Sequence, residues 1–195
     1  MTVVDTIAVR QLGRTPYAET LQAMRAFTRA RITEEIWLTE HEPVYTLGQG
    51  AAERTVASGI PVFRSDRGGD ITYHGPGQVV LYALVDLARR GIKVKRYVWL
   101  LEQAVIDLLG RGERRAGAPG VYVDGAKIAA LGIRVVRGRA YHGLSLNVDM
   151  DLSPFSAIDP CGYPGLEVTQ MKDLGLPTQR VGERLSEILI EALDA

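Results

Sequence analysis

Apolar residues recur along this chain at two different spacings, and the switches between them predict a mixture of strands and helices. Val3 to Leu12 reads as a strand. Thr15-Pro16 then offers a helix cap followed by proline at the first helical position. Tyr17, Leu21, Met24 and Phe27 follow at helical spacing, to about Arg31. Glu35 to Leu38, Val44 to Leu47 and Ile60 to Arg64 are short β-type runs. A glycine-rich loop, Arg67 to Gln78, leads into a strand from Val79 to Val85. Tyr97 to Leu109 has a helical apolar face of Val98, Leu101, Val105 and Leu108 or Leu109. Strands are predicted over Gly120 to Val123, Ala126 to Val136 and Ala140 to Val148, the first two joined by a tight Asp124-Gly125 hairpin. Arg137-Gly138-Arg139 marks a second turn. A proline-bearing loop, Asp149 to Gly165, precedes two predicted helices, Leu166 to Leu174 and Thr178 to Leu193, the latter with Thr178 as its cap.

Helices and strands intermingle and hairpins are frequent, which implies an α+β fold on a mixed β-sheet rather than a doubly wound parallel one. At 195 residues, 46% hydrophobic and 24% charged, the chain fits one domain, or one domain with a small lobe, with a full apolar core. Its formal net charge of zero gives no electrostatic case for nucleic acid. No apolar run approaches the ~20 residues of a membrane span. Met1 to Arg10 lacks the basic start of a secretory signal. With one cysteine no intrachain disulfide can form. The expectation is a cytoplasmic protein without nucleic-acid or membrane partners.

Four features carry candidate chemistry. In Arg67-Gly68-Gly69-Asp70-Ile71-Thr72-Tyr73-His74-Gly75-Pro76-Gly77-Gln78, glycines let the backbone approach a ligand and polar residues crowd beside them. No Gly-Lys-Ser/Thr follows, and a strand rather than a helix comes next, so this is neither a P-loop nor a dinucleotide fingerprint. Cys161 lies in Asp159-Pro160-Cys161-Gly162-Tyr163-Pro164-Gly165. It is either a small buried hydrophobe or a nucleophile in a loop, with the predicted helix behind it favouring thiolate. Lys127 sits among small and apolar neighbours. It either points to solvent or, desolvated, serves as a base or thiolate partner. His142 is a base, a positioning donor or a satisfied core histidine. Three scattered histidines and one cysteine form no metal-ligand pair.

These segments resemble the lipoyl(octanoyl) transferases, the LipB family, within the biotin/lipoate protein ligase fold. His41 to Gly48 resembles an early strand motif, and Arg67 to Gln78 matches the family's glycine-rich loop throughout. Gly125 to Ile133, Tyr141 to Asn147 and Ile158 to Gly162 match its lysine strand, the strand after it and its cysteine loop. The resemblance implies a mixed core sheet with a smaller sheet, flanked by helices. It implies a single catalytic domain over 1–195 and octanoyl transfer from octanoyl-acyl carrier protein to a lysine of lipoyl domains, in 2-oxoacid dehydrogenase E2 subunits and glycine cleavage H protein. Cys161 would carry the acyl group as a thioester with Lys127 as its partner. Neither ATP nor a metal would be needed. Arg67, Gly68, Gly69, Asp70, Ile71, Thr72, Tyr73 and His74 would line the acyl pocket from the loop. Ala130, Leu131 and Gly132 would line it from the lysine strand, and Gly143, Leu144 and Ser145 from the next. Small residues there would leave room for an apolar tail. Oxyanion donors are expected at Gly77 and Gln78 or at Cys161 and Gly162, with His142 in support.

Three rivals remain at this level. One is an ATP-dependent lipoate or biotin ligase of the same fold. Another is a cysteine amidotransferase moving octanoate between proteins. The third is a non-catalytic acyl- or protein-binding module, with Cys161 a passive loop residue.

Overall fold

The computed structural model describes residues 7–30, 33–158 and 165–195. Strand β1 (Ala8–Thr15) leads into helix α1 (Tyr17–Ala30), then β2 (Glu35–His41), β3 (Val44–Leu47) and β4 (Val62–Arg64). Next come β5 (Ile71–His74), β6 (Gln78–Leu84), the short α2 (Leu87–Arg90) and α3 (Val94–Leu109). Strands β7 (Gly120–Val123), β8 (Ala126–Val136) and β9 (Arg139–Asn147), a 3₁₀ turn (Ser153–Ala157) and α4 (Val181–Asp194) complete the order.

Six strands form one sheet in the order β1-β2-β6-β9-β8-β7, and three form a small sheet, β4-β3-β5. Each sheet mixes parallel and antiparallel pairs: β1 and β2 run parallel, as do β3 and β4. The mixed α+β reading holds.

Strand β6 shows why the large sheet is covered on both faces. Val79, Leu81, Ala83 and Val85 belong to a core cluster with α3 and α4, through Tyr97, Leu101, Val105, Leu185 and Leu189. Val80, Tyr82 and Leu84 alternate with them and pack against Tyr17, Leu21 and Met24 of α1. A period of two with both sets apolar is the signature of a strand buried on both sides. The small sheet turns Tyr45 and Tyr73 away, onto Met150 and Phe155.

Several boundaries differ from the sequence expectation. The loop Arg67 to Gln78 is interrupted by β5, whose residues pair with β3 from Val44↔His74 to Leu47↔Ile71. The short helix α2 has no counterpart in the sequence expectation. Asp86 caps it by accepting from the Arg89 amide at 3.0 Å, and Gly91 ends it in the left-handed region. Thr178 is not a cap: α4 begins at Val181 behind Arg180, whose φ is 54°. No helix forms over 166–174. Val168 instead bridges in parallel to Lys127, and a turn follows in which Leu174 and Leu176 N–H donate to Met171 O. The expected strand over Val3 to Leu12 lies partly outside the described residues.

Candidate active site

The glycine-rich loop, β5, β6, β8 and β9 enclose a pocket of about 470 Å³, part of it open to solvent. Of the expected lining residues, Arg67, Gly69, Asp70, Ile71, Thr72 and His74 reach it from the loop and β5. Ala130, Leu131 and Gly132 reach it from β8, and Gly143, Leu144 and Ser145 from β9. His142 also lines it. Gly68 and Tyr73 do not. The Gly68 amide donates to Ile133 O at 3.0 Å, tying the loop to β8. Tyr73 alternates to the other face of β5, where its ring meets Tyr45 and Phe155. Tyr17, Val80 and Tyr82 complete the wall. Sequence periodicity places them on an apolar helix face and an apolar strand, and nothing in it separates a core position from a pocket position.

Arg67 is an organiser of the loop. Its Nε and Nη2 donate to Thr46 Oγ1 at 3.0 and 2.8 Å, and Nη2 also to the carbonyls of Thr46 and Asp70 at 2.6 and 2.8 Å. Gly143 lacks a side chain for a reason other than room for an alkyl tail. A Cβ there would sit 2.2 Å from Leu81 O, so glycine allows β9 to approach β6.

A second, smaller cavity shares Thr72, Ala130 and Ser145 with the first and adds Lys127, Gln78, Asn147, Phe155 and Val168. Lys127 is 3% exposed, so it is not a solvent-facing strand lysine. Its orientation comes from an irregularity. β7 residues Val121 and Tyr122 are consecutive, but their β8 partners are Ala129 and Lys127, which leaves Ile128 as a bulge. The bulge places Lys127 beside Tyr122 instead of on the helix-covered face with Ala129. Its Nζ lies 5.2 Å from the Tyr122 ring centroid and 3.4 Å from Pro119 O. Gly120 leaves space for this side chain, since a Cβ there would come within 2.8 Å of Lys127 Cε.

Gln78 and Gly77 are not free oxyanion donors. The Gln78 amide side chain donates to Asn147 Oδ1 at 3.0 Å and to Tyr73 O at 3.2 Å, while its Oε1 lies 2.7 Å from His74 Nδ1. The Gln78 backbone N–H goes to Gly75 O, and that of Gly77 to Glu40 Oε2. Asn147 Nδ2 donates to Thr169 O at 3.0 Å, and Thr169 N–H to Lys127 O at 2.9 Å. A continuous hydrogen-bonded line thus runs from the pocket wall to the backbone of Lys127.

Cys161 and Gly162 lie outside the described residues. The described chain on either side is tied to Lys127: Phe155 shares its cavity, Glu167 O accepts from its amide at 2.8 Å, and Val168 bridges to it. Over the described residues 166–174 this strand-like edge and a turn stand where the sequence predicts a helix.

Burial disfavours the charged form of His74 and His142 at the pocket and of His41 beside Tyr82. Burial pushes His74 down to about 3 and His41, whose Nε2 lies 2.6 Å from Tyr82 Oη, down to about 4. Burial also lowers His142, outweighing the Asp66 hydrogen bond. Burial opposes ionisation of Asp66, but hydrogen bonds from His142, Tyr141 and Arg25 hold its carboxyl well below the usual range. Among the described residues no group of three His, Cys, Asp or Glu side chains could hold a metal ion. No helix there is long and apolar enough to cross a membrane.

Residues 16–190 match the family model described as the lipoyl protein ligase A/B catalytic domain. The chain is 63% identical over 179 residues to an octanoyltransferase of Thiobacillus denitrificans, covering 87% of this chain and 82% of that one. It is 57% identical over 197 residues to one of Dechloromonas aromatica, covering 95% and 96%. Its fold is similar to that of Ta0514, a putative lipoate protein ligase from T. acidophilum with bound lipoic acid. That match has TM-score 0.76 at 17% identity and covers 96% of this chain and 86% of that one.

Proposed function

The chain belongs to the octanoyltransferase family of lipoyl protein ligase A/B catalytic domains, and from that premise we propose a covalent route for its octanoyl transfer through Cys161 with Lys127 as proton partner. The enzyme is an octanoyltransferase of protein lipoylation. Its donor is an acyl carrier protein thioester and its acceptor the lysine of a lipoyl domain. We assign the acceptors to 2-oxoacid dehydrogenase E2 subunits and glycine cleavage H protein, and the reaction to the cytoplasm, where a lone thiol stays reduced.

The observation that carries the route is a buried lysine at one end of a largely apolar pocket, with its backbone held by the segment that follows Cys161. Lys127 takes the thiol proton, and as ammonium it pairs with the thiolate. The thiolate attacks the octanoyl carbonyl, the carrier C–S bond breaks, and Lys127 returns its proton to the leaving sulfur, which departs as the carrier thiol. In the second half the acceptor amine attacks the Cys161 thioester. Its proton passes to Lys127, an amide forms and the thiol is restored. Thioester exchange is nearly neutral in free energy and amide formation is downhill, so neither ATP nor a metal is required.

Intact mass spectrometry tests this. Cys161→Ser is expected to give no octanoylated enzyme and no transfer. A serine variant that transfers octanoate at the wild-type rate would overturn the covalent route, and an ATP requirement would restore the ligase alternative.

A further inference from the structure

The acyl pocket contains a polar atom that an octanoyl tail cannot satisfy. His142 is 1% exposed, and its Nε2 lies 2.8 Å from Asp66 Oδ1. The other Asp66 oxygen accepts from Tyr141 Oη at 2.7 Å and Arg25 Nε at 2.9 Å, which keeps the carboxylate charged and fixed. A carboxylate only accepts, so the single proton of the neutral ring sits on Nε2. Nδ1 is then a lone-pair acceptor. It is buried, and among the described residues it has no hydrogen-bond partner.

The backbone shows that this ring is directed. Along β9, Ala140, Leu144 and Leu146 face the helix-covered core, and strict alternation would send His142 with them. Instead His142 has φ 62°, in the left-handed region that non-glycine residues rarely adopt, and its ring stacks on that of its neighbour Tyr141 at 4.9 Å. The ring is thereby turned into the pocket wall. The register fixes where. The pocket runs along β8 and β9 from the pair Ala130↔Ser145, beside the Lys127 cavity, to the pair Ile133↔His142. Three residues of strand span about 10 Å, comparable to an extended eight-carbon chain, so His142 stands at the distal end.

We propose that His142 Nδ1 is a hydrogen-bond acceptor at the tail end of the acyl pocket, admitting medium-chain acyl groups hydroxylated near the ω end and rejecting chains that carry only an acceptor there. The proposal rests on the octanoyl-transfer reading of the pocket. Asp66 is the positioning residue that fixes the ring's tautomer. A hydroxyl meeting Nδ1 gains a buried hydrogen bond, while a ketone oxygen meeting the same lone pair is left unsatisfied.

The test compares 7-hydroxyoctanoyl and 7-oxooctanoyl carrier-protein thioesters, of equal length, with octanoyl thioester as control. The wild type is expected to favour the hydroxyl over the ketone by roughly tenfold in kcat/KM. In Asp66→Asn the amide can donate to Nε2, the ring proton moves to Nδ1, and the ratio is expected to fall to about one or invert. Tyr141→Phe, which leaves the Asp66–His142 bond in place, is expected to keep it. Equal or ketone-favouring rates in the wild type overturn the proposal, whether or not Asp66→Asn folds. Absence of octanoyl transfer itself would instead sink the parent reading.

Discussion

Lowering the pH from 7 to 5 should destabilise this protein through its buried histidines, and the size of the effect follows from their surroundings. His74 wraps its Nδ1 around Gln78 and stacks on Tyr17, and His41 sits behind Tyr82. Burial holds them at about 3 and about 4 in the folded state, against about 6.5 when unfolded. A folded value below the unfolded one means that the unfolded chain takes up protons first. The stability is therefore complete above about pH 6.5 and is lost as pH falls toward the folded values. Each such imidazole costs about 1.4 kcal/mol per pH unit in that window. Two give roughly 2 to 3 kcal/mol per pH unit near pH 5, and together about 4 kcal/mol between pH 7 and pH 5. That is a large part of the 5–15 kcal/mol typical of a domain. His142, also lowered, adds to the slope in the same direction. Urea unfolding at a series of pH values reads the slope directly. His74→Gln has its own fixed cost at every pH, but it should remove one proton from the slope, flattening it by about 1.4 kcal/mol per pH unit. Stability that stays level from pH 7 to 5, or a His74→Gln slope equal to wild type, would refute the reasoning.

Asn147→Leu removes two buried hydrogen bonds, to Gln78 and Thr169. It should cost about 2 to 4 kcal/mol and lower kcat more than it raises KM, because Thr169 holds the Lys127 backbone. Calorimetry and steady-state transfer check both, and unchanged kcat would remove Asn147 from the site's support. Far from the pocket, Glu34 is 2% exposed and pairs with Arg90 at 2.6 Å. Glu34→Ala should cost about 3 kcal/mol and lower Tm by about 6 to 12 °C with kcat preserved. A kcat loss matching the stability loss would show that the two regions are coupled.

The sequence disclosed most where each residue obeyed its local period. Strand β6 was legible because two apolar sets alternate without a break, and α1 and α3 because their apolar residues keep helical spacing. Two irregular positions are the ones on which the proposed chemistry depends. Lys127 faces its cavity only because Ile128 bulges out of register with β7. His142 faces the pocket only because its backbone is left-handed. Period-two reasoning assigns both side chains to the helix-covered face. No short-range signal corrects it, since the bulge and the positive φ answer to partners on other strands. Asp66, one residue before the glycine-rich motif, carries no local signal because its meaning depends on Arg25, Tyr141 and His142, all distant in sequence. The predicted helix over 166–174 failed for the same kind of reason. Its apolar residues are spent on a β-bridge to Lys127 and on the turn behind Met171. A regular sheet would present only every second residue of β8 and β9 to the pocket. Two local breaks of that rule, a bulge in β8 and a left-handed residue in β9, put an amine at one end and an imidazole acceptor at the other.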